Sequence, residues 1–220
     1  MKNMSTRFLF LESLHQTDEK KYFFVKRLID IIGATCGIIL LLPLFILIAI
    51  LIKISDLHAP VFFKQIRVGK NGRNFYMYKF RSMCVNAEEQ IGSLLAFNEI
   101  DGAMFKMKED PRTTNIGKFI RKTSIDEFPQ LWNVIKGDMS LVGPRPPLSR
   151  EVEKYTIREL QRLSITPGCT GLWQISGRNN LGFDEMVELD LLYIEKLSFI
   201  NDMKIIFKTF GVILGGKNAY

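Results

Sequence analysis

The sequence predicts a mostly α-helical fold with one short β-hairpin, preceded by a membrane-embedded, proline-broken re-entrant helix. Three observations carry that expectation. Residues Leu28 to Ile54 form one apolar run, interrupted only by Asp30, the small positions Gly33, Thr35 and Gly37, Pro43 and Lys53, and the run is long enough to cross a bilayer. Val61-Phe62-Phe63 and Asn74 to Arg81 look like short strands around a turn at Gly69 to Gly72. Most of the chain beyond Arg81 has helical patterning.

The elements are expected in this order. Residues 1–21 are a polar, weakly ordered leader, in which Phe8 to Leu11 is the one apolar patch. Residues 22–56 hold the membrane helix. The run is not a cleaved signal peptide, because it starts late and lacks a small-residue cleavage site. Lys20, Lys21, Lys26 and Arg27 precede it, and Lys53, Lys64, Arg67, Lys70 and Arg73 come after it, so both flanks read as cytoplasmic. A helix broken near Pro43 that enters and leaves one leaflet satisfies both flanks, since proline frees a carbonyl and kinks the segment. A plain span remains open on the residues alone.

Residues 57–220 form the cytosolic domain. After the hairpin, helices are expected around Asn86–Phe97, Thr114–Thr123, Glu127–Lys136, Ser149–Ser164, Asp184–Lys196 and Asp202–Leu214. Tyr193, Phe199, Ile205, Ile206, Phe207 and Phe210 alternate with Lys196, Lys204 and Lys208, which fits an interfacial amphipathic pair. A core-facing helix with a solvated basic face explains them too.

Composition bounds the partners. A formal charge of +7 with 47% hydrophobic residues suits a membrane surface or phosphorylated substrates. Cys36, Cys84 and Cys169, with only His15 and His58 to join them, give neither a disulfide framework nor a zinc site. Cysteine chemistry is not expected.

The chemistry concentrates around Thr123-Ser124-Ile125-Asp126-Glu127-Phe128-Pro129-Gln130 and Lys136-Gly137-Asp138-Met139-Ser140-Leu141-Val142-Gly143-Pro144-Arg145-Pro146. Adjacent carboxylates beside a rigid arginine loop suit a phosphate anion held by a divalent cation. The plain alternative is a capping box between Ser124 and Glu127 at the start of a helix. Against it, Pro129 would remove a hydrogen bond if Ser124 were the cap, and Lys118, Arg121, Lys122, Lys136 and Arg145 bracket the two acids.

Taken in order, Lys26-Arg27-Leu28-Ile29-Asp30, the apolar segment with its proline, Phe63-Lys64-Gln65-Ile66-Arg67-Val68-Gly69, Tyr78-Lys79-Phe80-Arg81-Ser82-Met83, Ser124-Ile125-Asp126-Glu127 and Gly137 to Pro146 resemble the bacterial monotopic phosphoglycosyl transferases. So does Pro167-Gly168-Cys169-Thr170-Gly171-Leu172-Trp173-Gln174-Ile175-Ser176-Gly177-Arg178-Asn179. The resemblance covers roughly residues 22 to 215.

It implies transfer of a sugar 1-phosphate from a UDP-sugar to a polyprenyl phosphate such as undecaprenyl phosphate, with UMP released, on the cytoplasmic face of a bacterial inner membrane. It also implies that Asp126 is the nucleophile, forming an aspartyl-phosphosugar intermediate, and that Glu127 binds Mg2+. Arg145 beside Pro144, Arg121, Lys79, Arg81 and Arg178 are the substrate-binding candidates, because guanidinium groups clamp phosphate oxygens in a planar fork. For Lys79 and Arg81 a solvated strand face is the alternative. Lys26, Arg27 and Pro43 are the membrane candidates.

The chain departs from the family where many relatives place serine before the membrane proline, having Leu42-Pro43 instead, and it reads as a minimal catalytic form without a multi-span N-terminal region. The Gly171 to Arg178 stretch resembles the subgroup that handles hexose 1-phosphates in capsule or exopolysaccharide initiation. A homodimer is left open. The rivals are a membrane-anchored scaffold that binds anionic lipid without catalysis, and a transferase that moves the sugar alone and releases UDP. A nucleic-acid binder is disfavoured, since the cations are scattered through apolar segments.

Overall fold

The computed structural model describes residues 18–99, 105, 107, 109–177 and 181–215; most of the expected leader lies outside them. Helix α1 runs Asp18–Ser55 with Pro43 inside it. Strands β1 (Phe62–Val68) and β2 (Asn74–Phe80) pair antiparallel with Phe63 opposite Lys79, Gln65 opposite Met77 and Arg67 opposite Phe75. The turn between them places Asn71 and Gly72 at positive φ, as a tight hairpin connection requires. The longer helices of the domain are α2 (Asn115–Lys122), α3 (Gln130–Lys136), α4 (Phe183–Glu195) and α5 (Phe199–Gly215).

Some expected helices are shorter. The 86–97 stretch is a helical turn at Ile91–Leu94 and a 3-10 turn at Leu95–Phe97; Gly92 and Ser93 at its centre are weak helix formers. The 149–164 stretch breaks after Val152 and restarts at Ile157, because Thr156 accepts from the Glu159 amide while the Glu159 carboxylate accepts from the Thr156 amide, a capping box that nucleates a new helix. A second, parallel pair of short strands, β3 (Ser140–Val142) and β4 (Gly168–Thr170), was not anticipated. Three-residue strands carry too little alternation to be read. Gly143 and Gly168 meet there so closely that a Cβ on Gly168 would lie 2.0 Å from the Gly143 nitrogen.

The core is a set of clusters, several of them built on α1, while the cluster of Val68, Tyr155, Leu163, Phe183 and Met186 forms without it. Ala34 packs with Met77, Val134 and Met139; Ile48 and Ile52 pack with Phe80 and Ile120. Each buried Ile, Val, Met or Phe side chain among these stabilises the fold by about 1.5–3 kcal/mol, so α1 is an integral layer of the domain. Its outer face remains apolar and open: Leu28, Ile32, Leu40, Leu47 and Ile54 are all exposed. By length and composition α1 could cross a membrane. Near its start, Lys26 pairs with Asp202 of α5 at 2.8 Å, and near its end Ile48 and Ile52 contact the same domain.

Candidate active site

One face of the hairpin is the floor of the site. Strand alternation puts Phe63, Gln65 and Arg67 of β1 on the same side as their partners Lys79, Met77 and Phe75 of β2. Five of these, Phe63, Gln65, Arg67, Met77 and Lys79, line a cavity of about 1010 Å³ that also receives Asp126, Glu127, Arg121, Arg81, Arg145, Arg150 and Glu151.

The two acids do not open a helix. Ile125–Glu127 is a 3-10 turn, and α3 begins only at Gln130. Ser124 sits in the left-handed region at φ 56 and its side chain makes no capping bond, so the capping box weighed as the alternative is absent. Pro129 explains the late start, because it lacks an amide proton and its fixed φ suits an N-terminal position. At three residues per turn, neighbouring side chains diverge by about 120°. Asp126 is buried, whereas Glu127 is partly exposed and its Oε1 accepts from Lys79 Nζ at 2.8 Å. Left-handed backbone at a serine costs of order 1 kcal/mol and persists where the surroundings hold it, as functional sites do.

Helix α2 delivers Arg121 to the cavity. Thr114 caps it by accepting from the Gly117 amide at 3.0 Å. Gly117 lies against the Ser82 carbonyl with no room for a Cβ, which would fall 1.9 Å away. Arg121 Nη1 donates to Thr113 Oγ1 at 3.0 Å. Arg81 lines the same wall, with Nε donating to the Pro60 carbonyl at 2.8 Å.

The opposite wall is the Gly143 to Glu151 loop. The Gly143 amide donates to the Thr170 carbonyl and the Gly168 amide to the Pro144 carbonyl; Pro144 therefore shapes the loop and does not line the cavity. Arg145 Nη1 donates to Glu151 Oε2 at 3.2 Å, and the same oxygen accepts the Leu148 amide at 2.8 Å. Arg67 Nη1 donates to the Pro146 carbonyl at 3.0 Å. Burial raises the Glu151 carboxyl, but the charges of Arg145 and Arg67 and the Leu148 hydrogen bond outweigh it and hold the group below its ordinary value. Burial, with the like charge of Arg145, pulls the Arg67 guanidinium down; a guanidinium remains a cation at neutral pH even so.

The structure thus gathers Asp126, Glu127, Lys79, Arg81, Arg121 and Arg145 around one cavity. Arg178 lies outside the described residues. Lys26 and Arg27 face the domain, Lys26 through Asp202 and Arg27 through the Val134 and Ile135 carbonyls. Among the polar residues of the cavity that were not singled out from the sequence are Arg67, Arg150 and Glu151. For Arg67 the signal was there, since it stands at period two from Phe63 and so shares the Lys79 face once the register is fixed. Cys169 also lines the cavity, but burial, with smaller contributions from the charges of Glu127 and Asp30, pushes its thiol up, away from nucleophilic thiolate character.

Among the described residues no group of three or more His, Cys, Asp or Glu forms a metal cage. The adjacent carboxylates Asp126 and Glu127 nevertheless suit a magnesium ion, which is commonly bound through one or two carboxylates and completed by substrate phosphates and water.

Comparison with known proteins is consistent in kind. The family model described as bacterial sugar transferase matches residues 21–216. The chain is 53% identical over 199 residues to galactosyl transferase CpsE of Streptococcus agalactiae, covering 90% of this chain and 44% of that protein. It is 45% identical over 201 residues to undecaprenyl-phosphate galactose phosphotransferase of Salmonella typhimurium, covering 90% of this chain and 42% of the relative. The chain therefore spans less than half the length of these two relatives. Against the exopolysaccharide production protein ExoY of Rhizobium meliloti it is 40% identical over 199 residues, covering 89% of this chain and 88% of that one.

Proposed function

Because the chain belongs to the bacterial sugar transferase family, we propose that it transfers a hexose 1-phosphate from a UDP-sugar to undecaprenyl phosphate on the cytoplasmic face of the inner membrane, releasing UMP and initiating a polysaccharide. The observation that carries this reading is the meeting of Asp126 and Glu127 with Lys79, Arg81, Arg121 and Arg145 in one cavity. Two acids amid that many cations suit a substrate with several phosphate charges. The relatives named for UDP-galactose-lipid carrier transfer in Erwinia amylovora and for undecaprenyl-phosphate galactose transfer support the donor and acceptor classes and make UDP-galactose the first donor to test.

In the proposed reaction the Asp126 carboxylate attacks the sugar-bearing phosphorus. A carboxylate–phosphorus bond forms, and the bond to the bridging oxygen breaks, so UMP leaves with the electron pair. An oxygen of the polyprenyl phosphate then attacks the same phosphorus, releasing the Asp126 carboxylate and yielding the polyprenyl diphosphate sugar. Dividing the transfer in this way lets two bulky anions use the site in turn. The arginines and Lys79 hold phosphate oxygens and offset the repulsion between an incoming carboxylate and the diphosphate. Glu127, with Asp126 beside it, would hold magnesium, which when bound supplies charge neutralisation on phosphate oxygens.

Membrane seating is set by α1. Its 38 residues would reach about 57 Å if straight, yet residues near both ends pack on the same domain, through Lys26–Asp202 and through Ile48 and Ile52. Both flanks therefore stay with the domain while the apolar face is left for lipid. Phe199, Ile200, Phe207 and Phe210 on α5 are exposed as well and extend that surface.

The deciding experiment supplies protein in lipid nanodiscs with magnesium, undecaprenyl phosphate and a panel of UDP-sugars, with Asp126→Asn alongside. UMP release by wild type with one donor, lost in the variant, is the expected result. UDP release would mean transfer of the sugar alone, and no release with any donor would return the chain to an anchored lipid-binding role.

A further inference from the structure

We infer that Arg27 and Asp30 are positioning residues for the catalytic site, so that the membrane helix is part of the active-site scaffold as well as an anchor. The inference rests on the phosphoglycosyl-transfer reading. Arg27 Nη1 donates to the Val134 carbonyl at 2.6 Å and Nη2 to the Ile135 carbonyl at 2.8 Å. These are terminal carbonyls of α3, the helix that comes directly after the acidic turn, and a cation there also complements the negative end of the helix dipole. One turn further along α1, Asp30 Oδ1 accepts the Leu141 amide at 2.8 Å and the Ser140 hydroxyl at 3.1 Å. Those residues belong to β3, which leads within a few residues to Gly143-Pro144-Arg145.

Residues three apart share a helix face. A single turn of α1 therefore grips the end of the helix that follows Asp126 and Glu127 and the strand that precedes Arg145. Neither Arg27 nor Asp30 lines the cavity, so both act through the backbone they hold. Close seating reinforces the grip. A Cβ on Gly33 would lie 2.8 Å from Leu141 Cδ1, and one on Gly37 would lie 3.1 Å from Leu131 Cδ1.

Attachment alone does not require these bonds, because the Lys26–Asp202 pair and the Ile48 and Ile52 contacts already fix α1 to the domain. What Arg27 and Asp30 add is the spacing between the acidic turn and the arginine loop. Misplacement of reacting groups by about 1 Å can cost on the order of a hundredfold in rate.

The test uses the full chain in nanodiscs of fixed lipid composition and measures kcat and the donor KM from UMP release for wild type, Arg27→Ala, Asp30→Ala, Asp30→Asn and Ser140→Ala, with thermal midpoints taken in the same discs. Arg27→Ala and Asp30→Ala should lose at least tenfold in kcat, with KM within twofold of wild type and folding retained at the assay temperature. Asp30→Asn should restore at least a third of wild-type kcat, since its side-chain oxygen can accept the same two bonds. Wild-type kcat in the folded alanine variants, or no rescue by Asp30→Asn, overturns the inference. If Asp30→Ala does not fold, Ser140→Ala decides: a several-fold fall in kcat at unchanged KM supports the positioning role, and wild-type kcat overturns it. A wild type that releases no UMP refutes the phosphoglycosyl-transfer reading itself, a result separate from any of these.

Discussion

Asn133 holds the edge of strand β2 at Tyr78 as another strand would: its Oδ1 accepts the Tyr78 amide at 3.0 Å, while its Nδ2 donates to the Tyr76 carbonyl at 2.7 Å. Helix α3, and with it the acidic turn, is thereby docked on the side of β2 that faces away from β1. Asn133 is fully buried, so Asn133→Ala leaves the Tyr78 amide and the Tyr76 carbonyl without partners. A buried unsatisfied group costs about 1–3 kcal/mol. The variant is expected to lose about 2–4 kcal/mol in chemical unfolding, and Asn133→Asp should lose at least as much, because it sets a buried carboxylate against the Tyr76 carbonyl and the Asp138 carboxylate, to which Asn133 Nδ2 now donates.

Lys79 and Glu127 separate stability from activity. Their 2.8 Å pair is partly exposed at both side chains, and such pairs contribute at most about 1 kcal/mol. Lys79→Met should unfold within that margin of wild type. Its UMP release should nevertheless fall tenfold or more, because the substituted position no longer supplies a cation beside the acidic turn. A stable and fully active Lys79→Met would remove Lys79 from the site.

Acid should weaken the arginine wall. Glu151 is held below its ordinary value of 4.5, so its charged form contributes stability that is fully present above that ordinary value and is lost as pH falls through the lower, folded value. Wild-type stability measured from pH 6 downward should therefore decline more steeply than that of Glu151→Gln, which has no proton to take up. At neutral pH the same variant leaves Arg145 and Arg67 without their shared counter-charge. A raised donor KM is expected, read from initial rates of UMP release.

The sequence disclosed the site's chemistry better than its local backbone. Asp126 and Glu127 stood out because two acids among five cations is a chemical pattern that needs no fold to be seen. The 3-10 turn beneath them was hidden, because the spacing of Ser124 and Glu127 mimics a capping box and only the left-handed φ of Ser124 breaks it. The hairpin was legible from its alternation and glycine turn, and α1 from its length. The parallel β3–β4 pair was not, since its partners are distant in sequence and three residues long. Glu151 escaped for a related reason: what gathers it at Arg145 and Arg67 is tertiary contact between β1 and the 144–151 loop, whereas Arg67 had a signal in its period-two spacing from Phe63.

The deepest support of that loop is a buried ion pair, and it yields the sharpest stability prediction. Arg162 and Asp190 are both about 1% exposed. Arg162 Nε donates to Asp190 Oδ2 at 2.8 Å, Nη1 to the Tyr155 hydroxyl at 2.8 Å and Nη2 to the Arg145 carbonyl at 3.3 Å. Burial disfavours the charged Arg162 side chain, but the charge of Asp190, its hydrogen bond and the smaller contributions of Tyr155 and Glu151 together outweigh it and raise the guanidinium. Removing one partner strands the other charge in the core, at a cost of about 3–5 kcal/mol. Arg162→Met and Asp190→Asn should each lose stability on that scale in chemical unfolding, whereas the double variant Arg162→Met with Asp190→Leu should recover part of it, since no unpaired charge is left. Because Arg162 also holds the Arg145 carbonyl, the double variant should regain stability without regaining the donor KM. Recovery of both would show that the pair serves the core alone, and recovery of neither would mean that the hydrogen bonds to Tyr155 and Arg145 outweigh the ion pair.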